Sequence, residues 1–72
     1  MASRSDLPGG NPHDDLDAYL GLPRDEAERR AREHGWTTVR SLPPGAVVTM
    51  EYVVGRLNFT VDGGTVRRCW LG

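Results

Sequence analysis

Residues 45–56 read GAVVTMEYVVGR. The stretch is apolar at most positions, and its valines favour a β-strand. It does not alternate between apolar and polar residues, however, and Gly45 and Gly55 bracket it. Periodicity alone does not decide the structure of such a short apolar run. Two interpretations therefore stay open, a strand buried in the core or a segment displayed for a partner, and the predicted function depends on which is right.

The residues that follow this stretch predict a hairpin of two strands. RLNFTV, residues 56–61, alternates strictly between apolar and polar side chains, which is typical of a half-buried strand. Leu57, Phe59 and Val61 would face the core. DGG at 62–64 is a turn signal, and TVRRCWL at 65–71 then reads as the returning strand.

The residues that precede the stretch predict a helix and another strand. Strong helix formers fill most positions from Arg24 to His34, and Gly35 is placed to end the helix in a left-handed conformation. Ala27 and Ala31 lie one turn apart and would let the helix approach a sheet closely. WTTVRSL at 36–42 is rich in β-branched and aromatic residues and predicts a strand.

The N-terminal part of the chain divides at about residue 11. Residues 1–11 are rich in Ser, Gly, Pro and Asn without periodicity, so we expect a disordered tail. Residues 12–72 would then form a single domain. At its start, Asn11 followed by Pro12 suits a helix N-terminus, and we expect a short helical turn whose apolar residues pack on the body. These residues are Leu16, Tyr19 and Leu20.

The size and charge of the chain narrow the function. A chain of 72 residues buries only about 60% of its unfolded surface, so we expect function on a surface or loop rather than in a deep cleft. The net charge of −1 gives no field that would attract nucleic acid or a membrane. We expect a monomer that is not an enzyme and that uses no cofactor.

Several titratable residues are candidate metal or catalytic groups. The segment 13–17 carries a histidine and three aspartates, but no further carboxylate completes a hard-cation cage, so a solvated helix start is favoured over a metal site. His34 and Cys69 could form a base and nucleophile pair. Such a pair needs a third, orienting group, and a small buried hydrophobe is the favoured interpretation of Cys69.

Cysteine usage and the first residues bear on the compartment. Cys69 is the only cysteine, so it is either free or bonded to another molecule. The residues MASRSDLPGGNP contain no apolar segment typical of a signal peptide. Both observations favour a cytoplasmic protein, unless a leader has been removed.

The run from Leu42 to Asp62 resembles the reactive-loop region of the potato inhibitor I family, which includes the barley chymotrypsin inhibitor. The similar residues arrive in the family's order, and they are Leu42-Pro43, Gly45, Val48-Thr49-Met50-Glu51-Tyr52, Arg56 and Val61-Asp62. The resemblance extends over about residues 19–72. It implies an α+β fold, with one α-helix packed on a small twisted mixed β-sheet and an extended, exposed reactive loop.

The resemblance also implies a function for the displayed loop. Family members inhibit serine proteases by binding like a substrate, and here Met50–Glu51 would be the scissile bond. Met50 is long, unbranched and apolar, so it would suit the primary pocket of chymotrypsin-like or subtilisin-like enzymes. Val48 and Thr49 would occupy adjoining sites on the acyl side, and Tyr52 would contact the leaving-group side.

In the family, two arginines beneath the loop hold the residues that flank the scissile bond. Arg56 matches the first of them and could pair with Glu51. The chain departs from the family at the second, where Asn58 stands in place of arginine. The remaining candidates for loop support are Arg67, Arg68 and Gly72.

Two alternatives remain open beside the inhibitor. On the same fold, the loop or a sheet edge could bind a partner without inhibiting any protease. In a purely structural domain, residues 47–54 would instead be a buried strand, and residues 49–52 would be protected from solvent and proteases.

Overall fold

The computed structural model describes residues 11–48 and 51–72. This range excludes most of the predicted tail, residues 1–10. In chain order, the elements are a 3-10 helix at Leu16–Tyr19, helix α1 at Arg24–Glu33, and strands β1 at Thr38–Leu42, β2 at Arg56–Asp62 and β3 at Thr65–Leu71. The helix packs on a three-stranded mixed sheet, which confirms the predicted α+β class.

The sheet has the order β1-β2-β3, with β2 in the centre. β3 runs antiparallel to β2, whereas β1 runs parallel to it. Parallel neighbours need a crossover connection of about a dozen residues or more. Residues 43–55, here called the crossover loop, supply it. The apolar stretch within this loop therefore connects the end of β1 to the start of β2 and is not itself a strand of the sheet.

Helix α1 ends as the sequence predicts, at a glycine in the left-handed region. Gly35 has φ +102°. The main-chain N–H of Gly35 donates to Arg32 and that of Trp36 donates to Ala31, the pair of bonds that defines a Schellman motif. Trp36 therefore belongs to the helix end and packs in the core. The prediction that the strand begins at residue 36 was wrong for this reason, and β1 begins at Thr38.

The core lies between α1, the 3-10 helix and one face of the sheet. Ala27 and Ala31 are fully buried, which confirms that the alanines form the contact face of the helix. Tyr19 from the 3-10 helix is also fully buried, but Leu20 is 45% exposed, contrary to expectation. Leu20 is the C-cap residue that follows the 3-10 helix, and its backbone is extended rather than helical. The buried hydrophobic residues are Tyr19, Ala27, Ala31, Trp36, Leu57, Phe59 and Val66.

Strand β2 is buried on both faces over its first four residues. Leu57 and Phe59 face the core as predicted, but Arg56 and Asn58 on the opposite face are also buried, at 8% and 0% exposed. The prediction of a half-buried strand was therefore wrong at this end. β2 is the central strand, so β1 and β3 flank its polar face, and Arg56 is also in contact with Glu51 of the crossover loop.

The hairpin between β2 and β3 has the predicted turn and an unpredicted bulge. Gly63 and Gly64 have φ +63° and +80°, as a two-residue hairpin turn requires. Thr60 pairs with Arg68, whereas Val61 pairs with Val66. Arg67 is therefore an extra residue without a partner in β2.

The core can be tested with a pair of leucines that face each other across the hairpin. Leu57 is fully buried, whereas its cross-strand partner Leu71 is 43% exposed. Leu57→Ala should lower the free energy of unfolding by about 2–5 kcal/mol, and Leu71→Ala by less than about 1.5 kcal/mol. Chemical denaturation of both variants measures the difference. Equal losses would contradict the greater burial of Leu57.

Candidate functional site

The crossover loop displays apolar side chains to solvent. Its described parts, residues 43–48 and 51–55, contain neither helix nor strand. The fractions exposed are 92% for Val47, 59% for Tyr52 and 44% for Val54. The buried-strand interpretation is therefore wrong for these residues. Thr49 and Met50, which include the first residue of the predicted scissile bond, lie outside the described residues.

Arg56 lies beneath the loop and reaches the main chain of Glu51. Its side chain is buried, and Nη2 donates to the Glu51 carbonyl oxygen over 3.2 Å. Nη1 also lies 3.7 Å from the Glu51 carboxylate, whose side chain is 68% exposed. An ion pair with so exposed a partner contributes little. The bond from a buried guanidinium to the main chain is the stronger restraint on the loop.

The same guanidinium joins the loop to the end of β3. Nε donates to the main-chain oxygen of Gly72 over 3.0 Å, and Nη2 donates to that oxygen as well. Gly72 N–H in turn donates to the Arg56 carbonyl over 3.0 Å. Three of the predicted site residues, Glu51, Arg56 and Gly72, thus share one hydrogen-bonded group.

Tyr52 packs its ring directly against Gly72. Gly72 has φ +81°, and a Cβ there would stand 2.5 Å from Cδ2 of Tyr52. Glycine is therefore required both by the backbone conformation and by the ring. Tyr52 is predicted to contact a partner, and its exposed side chain is held in place from below.

Asn11 makes two further bonds to the loop that the sequence did not reveal. Its Nδ2 donates to the Tyr52 hydroxyl over 2.7 Å, and its Oδ1 accepts from Gly55 N–H over 2.8 Å. The sequence suggested Asn11 as a helix cap, but Asp15 caps the 3-10 helix instead. No local pattern could have indicated this role, because both partners are more than 40 residues away in the chain.

Asn58, at the second support position, binds neighbouring strands rather than the described part of the loop. Its Oδ1 accepts from Arg40 Nε over 2.7 Å, and its Nδ2 donates to the Trp70 carbonyl over 3.3 Å. Arg40 is the partner of Asn58 in the register of β1 and β2. Its buried Nη2 has no hydrogen-bond partner among the described residues. Sequence reasoning missed Arg40, because only the parallel pairing places it beside Asn58.

Arg67 and Arg68, the predicted substitutes, make no hydrogen bond or ion pair with a described loop residue. Arg67 is the exposed bulge residue. The guanidinium carbon of Arg68 lies 5.7 Å from the ring centre of Trp70, a cation–π distance. Arg68 and Trp70 form one wall of a groove of about 570 Å³ beside the first part of the crossover loop, residues 43–46 and Val48.

Asp14 accepts hydrogen bonds from three side chains and joins the 3-10 helix to the end of α1. Trp36 Nε1 donates over 2.9 Å, Tyr19 donates its hydroxyl, and His34 Nδ1 lies 3.0 Å away. Burial raises the pKa of Asp14, but these bonds and one from Asp15 N–H outweigh it, so its pKa lies below the usual value. Burial and the bond to Asp14 raise the pKa of Tyr19. The cluster is a structural one.

The lowered pKa of Asp14 predicts a loss of stability in acid. A carboxyl whose pKa is lower in the folded state stabilises the fold above its unfolded pKa of about 3.9, and this contribution disappears as pH falls through the folded value. The free energy of unfolding should therefore decline below about pH 5.

The decline should be smaller in Asp14→Asn, and this substitution should also lower the free energy of unfolding by about 1–3 kcal/mol at pH 7. Asp62→Asn, at an exposed aspartate, should keep the wild-type profile. Denaturation between pH 2 and 7, the range these pKa values define, checks this, and parallel profiles for wild type and Asp14→Asn would contradict it.

Cys69 is a free, half-buried thiol that packs against the core. Burial, and then the charges of Asp14 and Asp17, raise its pKa to about 12. It is therefore protonated at neutral pH and a poor nucleophile. His34, its suggested partner, is engaged with Asp14 and Tyr19 instead.

The described residues contain neither a metal-binding cluster nor a helix that could span a membrane. No group of three or more His, Cys, Asp or Glu side chains there is arranged to hold a metal ion. No described helix has the length and apolar character needed to cross a membrane.

Comparison with known proteins identifies the family. Searches of curated proteins and of solved structures returned no match. A family model described as the peptidase inhibitor I78 family matches residues 14–69, which is most of the chain. The matching model is not that of the potato inhibitor I family, so the resemblance of the loop residues is correct only in pointing to protease inhibition. The chain belongs to the peptidase inhibitor I78 family.

Proposed function

We propose that this protein inhibits serine proteases in a substrate-like, reversible manner, presenting the Met50–Glu51 bond on the crossover loop. The observation that carries the proposal is the buried guanidinium of Arg56, which holds the main chain of Glu51 from beneath. Membership of a peptidase inhibitor family gives the general activity. The exposed apolar side chains of the loop provide a surface for a protease cleft.

The proposed targets have apolar primary pockets, as in chymotrypsin-like and subtilisin-like enzymes. A protease takes an extended segment into its cleft as an added strand and fills its pockets with side chains of that segment. Met50 would fill the primary pocket, with Val48 and Thr49 on the acyl side and Tyr52 on the leaving-group side. A trypsin-like pocket is disfavoured, because its buried carboxylate would be left unpaired by methionine.

A loop with these residues inhibits, rather than being digested, only when it is already held in its bound shape. Preorganisation lowers the ordering entropy lost on binding. When the bond is cut, the new amine belongs to Glu51. The contact between Arg56 and the Glu51 carbonyl would keep that amine beside the acyl-enzyme, so that rejoining competes with hydrolysis.

The similarity to the potato inhibitor I family supports this mechanism without implying membership. The shared features are an arginine beneath the loop and a glycine at the end of the last strand, and the two meet here through hydrogen bonds. At the second support position the chain has Asn58 in place of the family's arginine, and Asn58 supports the sheet instead of the described part of the loop. Its amide joins β1 and β3, so that it stabilises the sheet on which Arg56 stands.

The proposal is tested by titrating chymotrypsin and subtilisin with the purified protein. Residual activity should fall in a near-stoichiometric, one-to-one manner, and mass spectrometry should find slow cutting at Met50–Glu51 and nowhere else. Trypsin serves as the control enzyme and should keep its activity. Rapid cutting with full activity would overturn the proposal and favour a binding module that displays the loop without inhibiting.

A further inference from the structure

We propose that Asn11 is a positioning residue for inhibition, because its side chain forms a strap between Tyr52 and Gly55 in the leaving-group arm of the crossover loop. The leaving-group arm is defined as residues 51–55. This inference rests on the proposed function and adds a residue that lies outside the family match, which begins at residue 14. Neither the loop motif nor the family match assigns it a role.

The strap spans the arm from its second residue, Tyr52, to its last, Gly55. The Asn11 amide donates to the hydroxyl of Tyr52 through Nδ2 and accepts from the main chain of Gly55 through Oδ1. An asparagine side chain offers a donor and an acceptor at the same tip, so a single residue satisfies both.

The far end of the strap is firmly anchored. The Gly55 carbonyl accepts from the main-chain N–H groups of Thr37 and Thr38, over 3.0 and 3.2 Å. Gly55 itself is buried, with φ +81°, and a Cβ there would stand 2.6 Å from Oγ1 of Thr37. Because Gly55 is bonded to the start of β1, the two bonds of Asn11 fix the Tyr52 hydroxyl relative to that strand.

The described residues of the two arms of the loop are held unequally. Among the described residues, the acyl arm, residues 43–48, makes one main-chain bond outside the strands, from Ala46 N–H to Pro43 over 3.2 Å, and it is local. The leaving-group arm is bonded through Glu51, Tyr52 and Gly55 to residues outside the loop. Within the described residues, the better-held arm is the one that would carry the new amine.

This asymmetry matters in the cutting step. The serine Oγ of the protease bonds to the Met50 carbonyl carbon, the bond to the Glu51 nitrogen breaks, and the serine hydroxyl proton ends on that nitrogen. The reverse step consumes the same groups and restores the peptide bond. An amine that remains in place returns faster than water can attack the acyl-enzyme. Asn11 thereby favours rejoining over release.

Asn11→Ala should raise the net rate at which subtilisin cuts Met50–Glu51 by roughly 3- to 30-fold, since two neutral hydrogen bonds are lost. His13→Ala, at an exposed neighbour, is the matched control and should cut at the wild-type rate. Starting from cut protein, the share of intact chain re-formed by catalytic subtilisin should fall in Asn11→Ala. Unchanged cutting and rejoining in Asn11→Ala, or an equal change in His13→Ala, would overturn the inference.

A double-mutant cycle separates the strap from a general loss of stability. Asn11→Ala and Tyr52→Phe remove the same hydrogen bond. The double variant should therefore change the cutting rate by less than the product of the two single fold-changes. Independent effects would contradict the strap. Hydrogen exchange at the Gly55 amide, measured without protease, should speed up in Asn11→Ala. This readout stands even if wild type fails to inhibit, an outcome that would refute the proposed function instead.

Discussion

Replacing Arg56 by alanine is expected to weaken inhibition of chymotrypsin and subtilisin by about 10- to 100-fold. Each hydrogen bond from a charged donor contributes about 1.5–3 kcal/mol, and a loss of 1.4 kcal/mol is tenfold in affinity. The expected range corresponds to the one bond that reaches the loop, at Glu51, while the two bonds to the Gly72 oxygen are lost as well. Without these bonds the loop would be less ordered before it binds the protease. After cutting, the new amine of Glu51 would no longer be held beside the acyl-enzyme.

The effect should appear in two measurements at once. The inhibition constant should rise, and the rate of cutting at Met50–Glu51 should rise with it, because the arm that carries the amine is released. Arg29→Ala, at an exposed arginine of α1, is the matched control and should leave both unchanged. Arg56→Lys should not restore inhibition, since a lysine cannot reproduce the planar fork that reaches two acceptors. Wild-type values for Arg56→Ala would show that the contact does not support the loop.

The second large effect is expected at Met50. Met50→Arg should weaken inhibition of chymotrypsin by about 100-fold or more, because it places an unpaired charge in an apolar pocket. The same variant should begin to inhibit trypsin, whose primary pocket holds a carboxylate that pairs with arginine. A gain of function of this kind is diagnostic, since misfolding does not produce it.

The comparison for this experiment is Met50→Leu, a swap that nearly conserves volume. It should keep inhibition of chymotrypsin within about tenfold of wild type, since such swaps cost less than about 1.5 kcal/mol where the side chain is buried. The measurement is the inhibition constant of each variant against chymotrypsin and trypsin. If Met50→Arg lost one activity without gaining the other, or if neither changed, Met50 would not be the specificity residue.

The elements of the fold were predictable because their signals are local. The run of helix formers closed by Gly35 specifies α1, and the two alanines on one face mark its contact with the sheet. The glycine pair at 63–64 places the hairpin turn. Each of these signals depends on neighbours within a few residues, so the structure agrees with them closely. The predicted start of β1 was wrong at Trp36, because the C-terminal cap of α1 continues past Gly35 and includes Trp36.

The parts of the site that escaped prediction depend on residues far apart in the chain. Asn58 is polar and alternates with core residues, so its sequence position implies exposure. It is nevertheless buried, between the pairing with Arg40 on β1 and the bond to Trp70 on β3. Asn11 reaches partners more than 40 residues away. No alternation or cap signal encodes such contacts.

The parallel pairing of β1 with β2 has a consequence for the molecule after cutting. A break between residues 50 and 51 leaves α1 and β1 on one piece and the β2–β3 hairpin on the other. Five residue pairs of the β1–β2 register, and the core beneath them, still join the pieces. The product is thus a two-chain complex, whose unfolding becomes a dissociation. Its melting temperature should therefore rise with protein concentration, whereas that of the intact chain should not.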